Sequence, residues 1–293
     1  MVGGISMKIT NKYGLPQAFV TMAESDYQYK DKRYSVSSLL KGTRETILER
    51  RYHNEIEQDV SDMIWLLFGT AVHSILEQHE EADHELAEEY LILDLENGYK
   101  LSGRFDLYNA KTKTVTDYKT CSVWKMIYKD FEDWRTQLLI YAYMLKSIGF
   151  EVETGEIIAM MKDHSKSKAK NDHNYPQLPV DRIKFSFSDK DFEEIEVFIK
   201  ERFKEIAKAE GMADDELPLC TPEQRFNSGD KFAVMKKNRK RALRVLDSME
   251  EAEIYLANNG GDFIETRPGE DKKCNDYCRV NKFCSYYNKV EVK

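Results

Sequence analysis

The most distinctive chemical pattern in this sequence is the triplet Asp117-Tyr118-Lys119, which ends a stretch of alternating apolar residues. Side chains of a β-strand alternate between its faces, so Asp117 and Lys119 are predicted to share a face while Tyr118 points away. Asp106 lies on the preceding predicted strand, and a hairpin would bring it within reach of Asp117. Two carboxylates beside an ammonium group can hold a divalent cation and activate water. The alternative is a solvated hairpin edge with a cross-strand ion pair.

Two predicted helices on either side of the hairpin carry further polar side chains. Gly69, His73 and Glu77 recur at every fourth position and therefore share one helical face. Gln137 and Tyr141 are one helical turn apart directly after the hairpin. Taken singly, His73 also fits a histidine at the margin of a core, and Gln137 with Tyr141 fits an ordinary amphipathic helix.

Three of the five cysteines are closely spaced, at Cys274, Cys278 and Cys284, and Cys220 could supply a fourth thiolate. In a reducing compartment, clustered cysteines bind metal more often than they form disulfides. Four thiolates suit a [4Fe–4S] cluster and equally a zinc ion, and buried unligated thiols are the remaining alternative. Cys121, two residues after Lys119, is expected to be a strand-end thiol outside this set.

Positive charge is concentrated in two short segments. The first runs from 236 to 244 and has six basic residues and no acidic one: Lys236, Lys237, Arg239, Lys240, Arg241 and Arg244. The second is a polar loop that contains Lys162, Lys166, Lys168 and Lys170. A charge run is commonly a solvated face, but such segments can also contact the backbone of a nucleic acid.

The hydrophobic pattern predicts the elements that must position these groups. Predicted helices cover 34–51, about 61–80, 80–89, 134–148 and 192–209, and a capping box at Ser248 to Glu251 opens another. Predicted strands cover 99–108, 114–120, 156–161 and 182–187. This order predicts an α/β fold with a mixed central sheet flanked by helices.

Composition sets the outer limits. The 293 residues are 41% apolar and 33% charged, which argues against disorder and low-complexity classes. No apolar run approaches the roughly 18 residues of a transmembrane helix, and the first residues lack a signal-peptide pattern. We therefore expect a cytoplasmic protein with no membrane partner. The net charge of −8, taken over the whole chain, argues against nucleic acid as a partner. It does not exclude one, because the positive charge is concentrated in the two basic segments.

In chain order, the motifs Gly-x3-His, Gly-x2-Asp, Asp-x-Lys and Gln-x3-Tyr resemble the RecB-like branch of the PD-(D/E)XK nuclease superfamily. Within that branch the chain is most similar to phage-encoded nucleases related to the CRISPR-associated exonuclease that carries an iron–sulfur cluster. The resemblance implies a restriction-endonuclease-like core at 34–210. An N-terminal segment, 1–33, would precede it, and a basic, cysteine-bearing region, 211–293, would follow and pack back on the core.

The resemblance also implies a role for each residue of the pattern. His73, Asp106 and Asp117, with the carbonyl of Tyr118, would bind Mg²⁺ or Mn²⁺, and Lys119 would position the attacking water or stabilise charge on the phosphate. Gln137 and Tyr141 would contact the DNA backbone or support the site, and Glu77 would contact the metal ligands without binding the metal itself. The cysteines would hold a [4Fe–4S] cluster rather than zinc.

The implied function is a metal-dependent exonuclease that acts on DNA ends or single strands in phage recombination or repair, inside the host cytoplasm. A recombination or CRISPR-type partner protein and a homo-oligomer are compatible with the resemblance. Two alternatives stay open, a non-catalytic DNA-binding or assembly subunit of the same fold and a structure-specific endonuclease.

Overall fold

The computed structural model describes residues 7–24, 29–76, 78 and 82–291, without the side chains of 290 and 291. The described chain forms two compact units. The first comprises residues up to Lys41 together with Glu49–Met212, and the second comprises Gly42–Leu48 together with residues from Ala213 onward. In this part of the chain, no helix combines the length and the apolar character needed to cross a membrane.

The first unit contains strands and helices in alternation. Its strands are β1 (Lys8–Thr10), β2 (Arg33–Ser35), β3 (Glu57–Asp59), β4 (Glu85–Ala87), β5 (Tyr90–Asp94), β6 (Lys100–Arg104), β7 (Leu107–Asn109), β8 (Thr114–Cys121), β9 (Thr154–Met161) and β10 (Val180–Ser186). The helices are α1 (Gln17–Ala23), α2 (Val36–Leu40), α3 (Thr43–Arg51, shared with the second unit), α4 (Ile64–Leu76), α5 (Val123–Tyr128), α6 (Glu132–Ser147), α7 (Lys166–Asn171) and α8 (Asp189–Glu210).

A mixed sheet of order β10-β9-β8-β7-β4 forms the centre of this unit, as the sequence predicts. Strands β8 and β9 are parallel, whereas the other neighbouring pairs are antiparallel. A second sheet has the order β2-β6-β5, and β1 pairs with β3. The mixed sheet and the flanking helices confirm the predicted α/β class.

Helix α6 packs on β8 and β9 through an apolar face that includes the fully buried Leu138. Its Tyr141 lies against the backbone of β6, because a Cβ atom built on Gly103 would be only 2.7 Å from Tyr141 Cε1. Glycine is the residue that permits such a close approach. This packing fixes α6, and the polar side chains it carries, relative to both sheets.

Three predicted elements differ from the structure. The predicted helix 34–51 is divided into β2, α2 and α3, because Tyr34 pairs with Leu101 in the second sheet and Ser35 then caps α2. The acidic helix predicted at 80–89 contains β4, which pairs with β7. The strand predicted at 99–108 is two strands in different sheets, interrupted at Phe105 and Asp106, although β7 and β8 do form the predicted antiparallel hairpin.

Helix α4 buries little of its apolar surface. Leu67 is the one buried residue of this fully described helix. Leu67 packs with Ala23, Val60 and Met63 in a small apolar cluster. Trp65, in contrast, is 60% exposed, so most of this helix's apolar surface faces outward.

The second unit contains a small antiparallel sheet and short helices. The strands β11 (Lys231–Met235), β12 (Arg244–Leu246) and β13 (Phe263–Arg267) have the order β12-β11-β13. The helices are α9 (Met249–Asn259), α10 (Lys272–Asp276) and α11 (Ser285–Glu291). The predicted cap of α9 is confirmed, because Ser248 Oγ accepts a hydrogen bond of 3.1 Å from the backbone N–H of Glu251.

Candidate active site

Asp117 and Lys119 lie on the same face of β8, as the alternation of the strand predicts. Lys119 Nζ is 2.7 Å from Asp117 Oδ2, and the Asp117 side chain is almost fully buried. On helix α6, Gln137 accepts a hydrogen bond of 2.9 Å from Lys119 Nζ and donates one of 3.4 Å to Asp117 Oδ1. Gln137 therefore bridges the two members of the pair and fixes the lysine side chain.

Asp106 joins this pair through the register of the hairpin. Leu107 pairs with Thr116 in the antiparallel ladder, which puts the preceding residue, Asp106, opposite Asp117. Asp106 Oδ2 accepts a hydrogen bond of 2.5 Å from the backbone N–H of Tyr118. This contact fixes the Asp106 carboxylate beside the central strand.

His73, on helix α4, contacts both Asp106 and the backbone of Tyr118. Its Nε2 is 3.1 Å from the carbonyl oxygen of Tyr118, and its Nδ1 is 3.4 Å from Asp106 Oδ1. If Nε2 carries the proton and donates to Tyr118, the lone pair of Nδ1 faces the carboxylates. When Nδ1 is also protonated it donates to Asp106, and this hydrogen bond raises the pKa of His73, whereas burial opposes that shift.

Glu88 is a site residue that sequence reasoning missed. One ligand atom each from His73, Glu88 and Asp106 lies within 4.8 Å of the others, a spacing that suits a shared metal ion. Glu88 follows β4 with φ of +53°, a left-handed conformation that is uncommon outside glycine, and its N–H donates to the carbonyl of Asp106 at 3.0 Å. In the sequence it is one of several acidic residues, and no local signal separates it from its neighbours.

The buried Asp117 carboxylate is poised to receive positive charge. Among the described residues its Oδ2 has no hydrogen-bond partner of good geometry, although Lys119 Nζ is close. Burial raises the pKa of Asp117 to about 6; the Asp106 carboxylate adds to the rise, and the Lys119 ammonium opposes it. A buried charged oxygen in this state is stabilised by an additional cation.

The donor set fits a hard divalent cation. Carboxylate oxygens with a single imidazole are the ligands that Mg²⁺ and Mn²⁺ accept. Of the three side chains expected to bind the metal, His73 and Asp106 belong to this group, whereas Asp117 does not and instead pairs with Lys119. The carbonyl of Tyr118, also an expected metal ligand, contacts His73 Nε2.

The remaining expected residues have different surroundings. Tyr141 is buried, which raises the pKa of its phenol, and it lies one turn after Gln137 with its ring against Gly103. The role expected for Tyr141, contact with the DNA backbone or support of the site, stays a prediction. Glu77 lies outside the described residues, so the role expected for it stays a prediction.

A cavity of about 410 Å³ opens directly onto the metal-ligating group. It is lined by helix α4, the end of β6 and the end of β8, through Trp65, Leu66, Gly69, Thr70, His73, Glu88, Arg104, Asp106 and Thr120. The cavity is open to solvent and wide enough to admit a phosphate group to the ligands.

In the second unit, the four clustered cysteines are free thiols that line one common cavity: Cys220, Cys274, Cys278 and Cys284. Burial raises the pKa of Cys274 to about 11 and that of Cys278 to about 12. Among the described residues no three of the four sulfur atoms lie within 4.8 Å of one another. Cys121 is buried at the end of β8 and does not line this cavity.

The two basic segments are exposed. Residues 236–244, called here the basic turn, connect β11 to β12, and all six of its Lys and Arg side chains face solvent. Lys166, Lys168 and Lys170 are exposed on α7, in the first unit. Both segments are therefore available to an anionic polymer.

The geometry of the metal-ligating group predicts that Glu88→Gln weakens Mn²⁺ binding. Loss of one carboxylate charge from the group should reduce affinity about 10- to 100-fold, measured by isothermal titration calorimetry. Glu89→Gln is the matched control, because it removes the same charge from an exposed neighbour. Equal affinity in wild type and Glu88→Gln would exclude Glu88 as a ligand.

Comparison with known proteins places this geometry in a family. Residues 44–285 match the model of the PD-(D/E)XK nuclease superfamily. No curated protein gives a significant match. The span of the family model covers both the hairpin with its flanking helices and the region of the clustered cysteines.

Three solved structures are among those similar to this chain. The crystal structure of SSO0001 is 15% identical with a TM-score of 0.45, covering 64% of this chain and 82% of its own. A phage-related exonuclease from Haemophilus somnus 129PT is 12% identical with a TM-score of 0.32, covering 57% and 81%. The alkaline exonuclease LHK-Exo from Laribacter hongkongensis is 10% identical with a TM-score of 0.36, covering 60% and 89%. Because the family model matches most of this chain, the chain belongs to the PD-(D/E)XK nuclease superfamily.

Proposed function

We propose that this protein is a divalent-metal-dependent DNA exonuclease that hydrolyses phosphodiester bonds at DNA ends or in single strands. The observation that carries the proposal is the group His73, Glu88 and Asp106, gathered within 4.8 Å beside the buried Asp117–Lys119 pair. A subunit that only bound DNA would have no need of two acids and an imidazole at one cavity with a buried Asp117–Lys119 ion pair close behind them. Buried ionisable groups with perturbed pKa values in a cleft are typical of catalytic sites.

Each residue has a distinct task in this proposal. A divalent cation bound by His73, Glu88 and Asp106 would supply Lewis acidity and neutralise charge at the scissile phosphate. Lys119, fixed by Gln137, would orient the attacking water or stabilise the developing negative charge. Asp117 keeps the ammonium at this position, since its carboxylate is 2.7 Å away.

The finer assignment to DNA ends rests on the sequence resemblance and on local charge. The basic turn and α7 present exposed positive side chains that suit phosphate contacts, even though the chain as a whole carries −8. Phage DNA recombination or repair, with a partner protein or a second copy of the chain, belongs to the same proposal. So does a reducing cytoplasm, where free thiols persist.

We propose that the four clustered cysteines hold a [4Fe–4S] cluster, with zinc as the alternative. Around a single zinc ion, with Zn–S bonds of about 2.3 Å, sulfur atoms crowd closely, whereas a cluster separates its ligand sulfurs further. The four thiols share a cavity without such crowding. The buried Arg44 strengthens the frame: it donates to the carbonyls of Asp214 and Pro218 and to Ser285 Oγ, which are close in sequence to Cys220 and Cys284.

The nuclease proposal predicts Mn²⁺- or Mg²⁺-dependent release of nucleotides from end-labelled linear DNA. Lys119→Met should lower the rate at least about a hundredfold, because the charge at the reacting phosphate is no longer stabilised. Lys190→Met, an exposed lysine on α8, is the control. Covalently closed circular DNA should stay intact. Cleavage of the circle at the linear rate would point to an endonuclease, and no cleavage of either substrate would favour a binding subunit.

The cluster proposal predicts that anaerobically purified protein is brown and contains about four iron atoms per chain. Cys220→Ala should lose the visible absorption, whereas Cys121→Ala should keep it, because Cys121 does not line the cavity. Iron analysis and absorption spectra are the measurements. Colourless protein with one zinc ion per chain would overturn the iron–sulfur assignment.

The basic turn is predicted to contribute phosphate contacts. Replacing Lys236, Lys237 and Arg239 by Gln should reduce the slope of log affinity against log salt for single-stranded DNA by about 2, since each lost contact removes about 0.7. The control replaces three exposed lysines of α8, Lys190, Lys204 and Lys208, with Gln. An unchanged slope in the basic-turn variant, measured by fluorescence anisotropy, would show that this segment is only a solvated face.

A further inference from the structure

Helix α4 exposes an unusual amount of apolar surface next to the candidate active site. Trp65 is 60% exposed and Leu66 is 52% exposed. The next residue, Leu67, is buried and anchors the helix, and Phe68 follows it. A contiguous exposed apolar patch is typical of an interaction or ligand-binding site. The cavity that Trp65 and Leu66 line indicates which kind of ligand would fit.

The helical period directs Trp65 and Leu66 into the metal cavity. These two residues, Gly69, Thr70 and His73 all line the cavity that holds the metal-ligating group. Residues at such spacings share one side of a helix. The exposed indole and the imidazole ligand thus belong to one continuous wall.

Basic side chains accompany Trp65, although the cavity that it lines also contains Glu88 and Asp106. Lys162 Nζ lies 4.1 Å from the centroid of the Trp65 ring, and Arg104 lines the same cavity. The edge of Phe68 meets the indole at a centroid distance of 6.2 Å and steadies it. An aromatic face beside an ammonium and a guanidinium matches a nucleobase with its phosphate, because bases stack on aromatic rings while basic side chains follow the backbone.

We propose that Trp65 is a stacking platform for an unpaired base of the DNA strand that enters the active site. The inference rests on the proposed nuclease function and adds the substrate class, a single-stranded or frayed end rather than a fully paired one. A stacked base on Trp65 has to be out of its duplex, so the site selects DNA whose terminal bases are already unpaired.

The position of the platform along the helix sets a register. Trp65 precedes His73 by eight residues, and a rise of 1.5 Å per residue separates them by about 12 Å. At 3.4 Å per stacked nucleotide, that distance corresponds to roughly two to four nucleotides between the stacked base and the reacting phosphate. The effect of removing a base should therefore depend on its distance from the end.

The first test measures binding of fluorescein-labelled single-stranded DNA in Ca²⁺, with the DNA verified to remain intact. Trp65→Ala should weaken binding about 5- to 150-fold, the range expected for the loss of one stacked base. Trp65→Phe keeps an aromatic face and should stay within about threefold of wild type. Trp124→Ala is the matched control, because Trp124 is 52% exposed but does not line the cavity.

The second test uses oligonucleotides with one abasic position, moved stepwise from the end. Wild type should lose affinity when the abasic position is roughly two to four nucleotides from the bound end. Trp65→Ala should bind that oligonucleotide as tightly as it binds the intact one. Additive losses at every position would overturn the proposal. So would wild-type affinity in Trp65→Ala, or a change in sedimentation of Trp65→Ala without a change in DNA binding, which would assign this face to a second copy of the chain.

These outcomes are separable from failure of the proposed function. If wild type digests DNA in Mn²⁺ while Trp65→Ala binds single strands as wild type does, the platform is wrong and the nuclease assignment stands. If wild type digests no DNA in any divalent metal, the nuclease assignment itself fails.

Discussion

The buried Asp117 carboxylate is the constraint on which the site depends. A charge taken out of water is expensive unless a partner of opposite sign is held beside it. Here Lys119 Nζ lies 2.7 Å away, and Gln137 binds both side chains. The second carboxylate, Asp106, works against this balance, because it raises the pKa of Asp117. Two neighbouring acids are electrostatically unfavourable alone, and a bound divalent cation would relieve the repulsion.

The rest of the first unit serves to keep these groups in register. Strand β8 fixes the face of Asp117 and Lys119, and the hairpin with β7 sets Asp106 opposite. Helix α6 brings Gln137 across the sheet, and it can do so because Gly103 lets Tyr141 approach the backbone of β6. Helix α4 supplies His73 from the other side of the cavity. Rigid elements, rather than loops, therefore position most of the polar groups, which suits a site that must hold charges at fixed distances.

The features that the sequence made predictable are those governed by short-range rules. The shared face of Asp117 and Lys119 follows from the two-residue period of a strand, and the approach of Asp106 follows from hairpin register. Glu88 could not be found in this way, because its place depends on β4 pairing with β7 and on a left-handed backbone at the residue itself. Trp65 shows a related limit: periodicity identified the apolar stripe of α4 but not whether that stripe faced the core or a ligand cavity. The break in the helix predicted at 34–51 likewise arises from a long-range pairing, that of Tyr34 with Leu101.

We propose that His73, Glu88 and Asp106 bind one divalent ion beside the Asp117–Lys119 pair. Anomalous diffraction from crystals soaked in Mn²⁺ is the decisive experiment, because the anomalous signal identifies manganese and locates it. We expect a single strong peak within about 2.3 Å of His73 Nδ1 and of an oxygen of both Glu88 and Asp106. A peak coordinated by other residues, or no peak at saturating Mn²⁺, would contradict it.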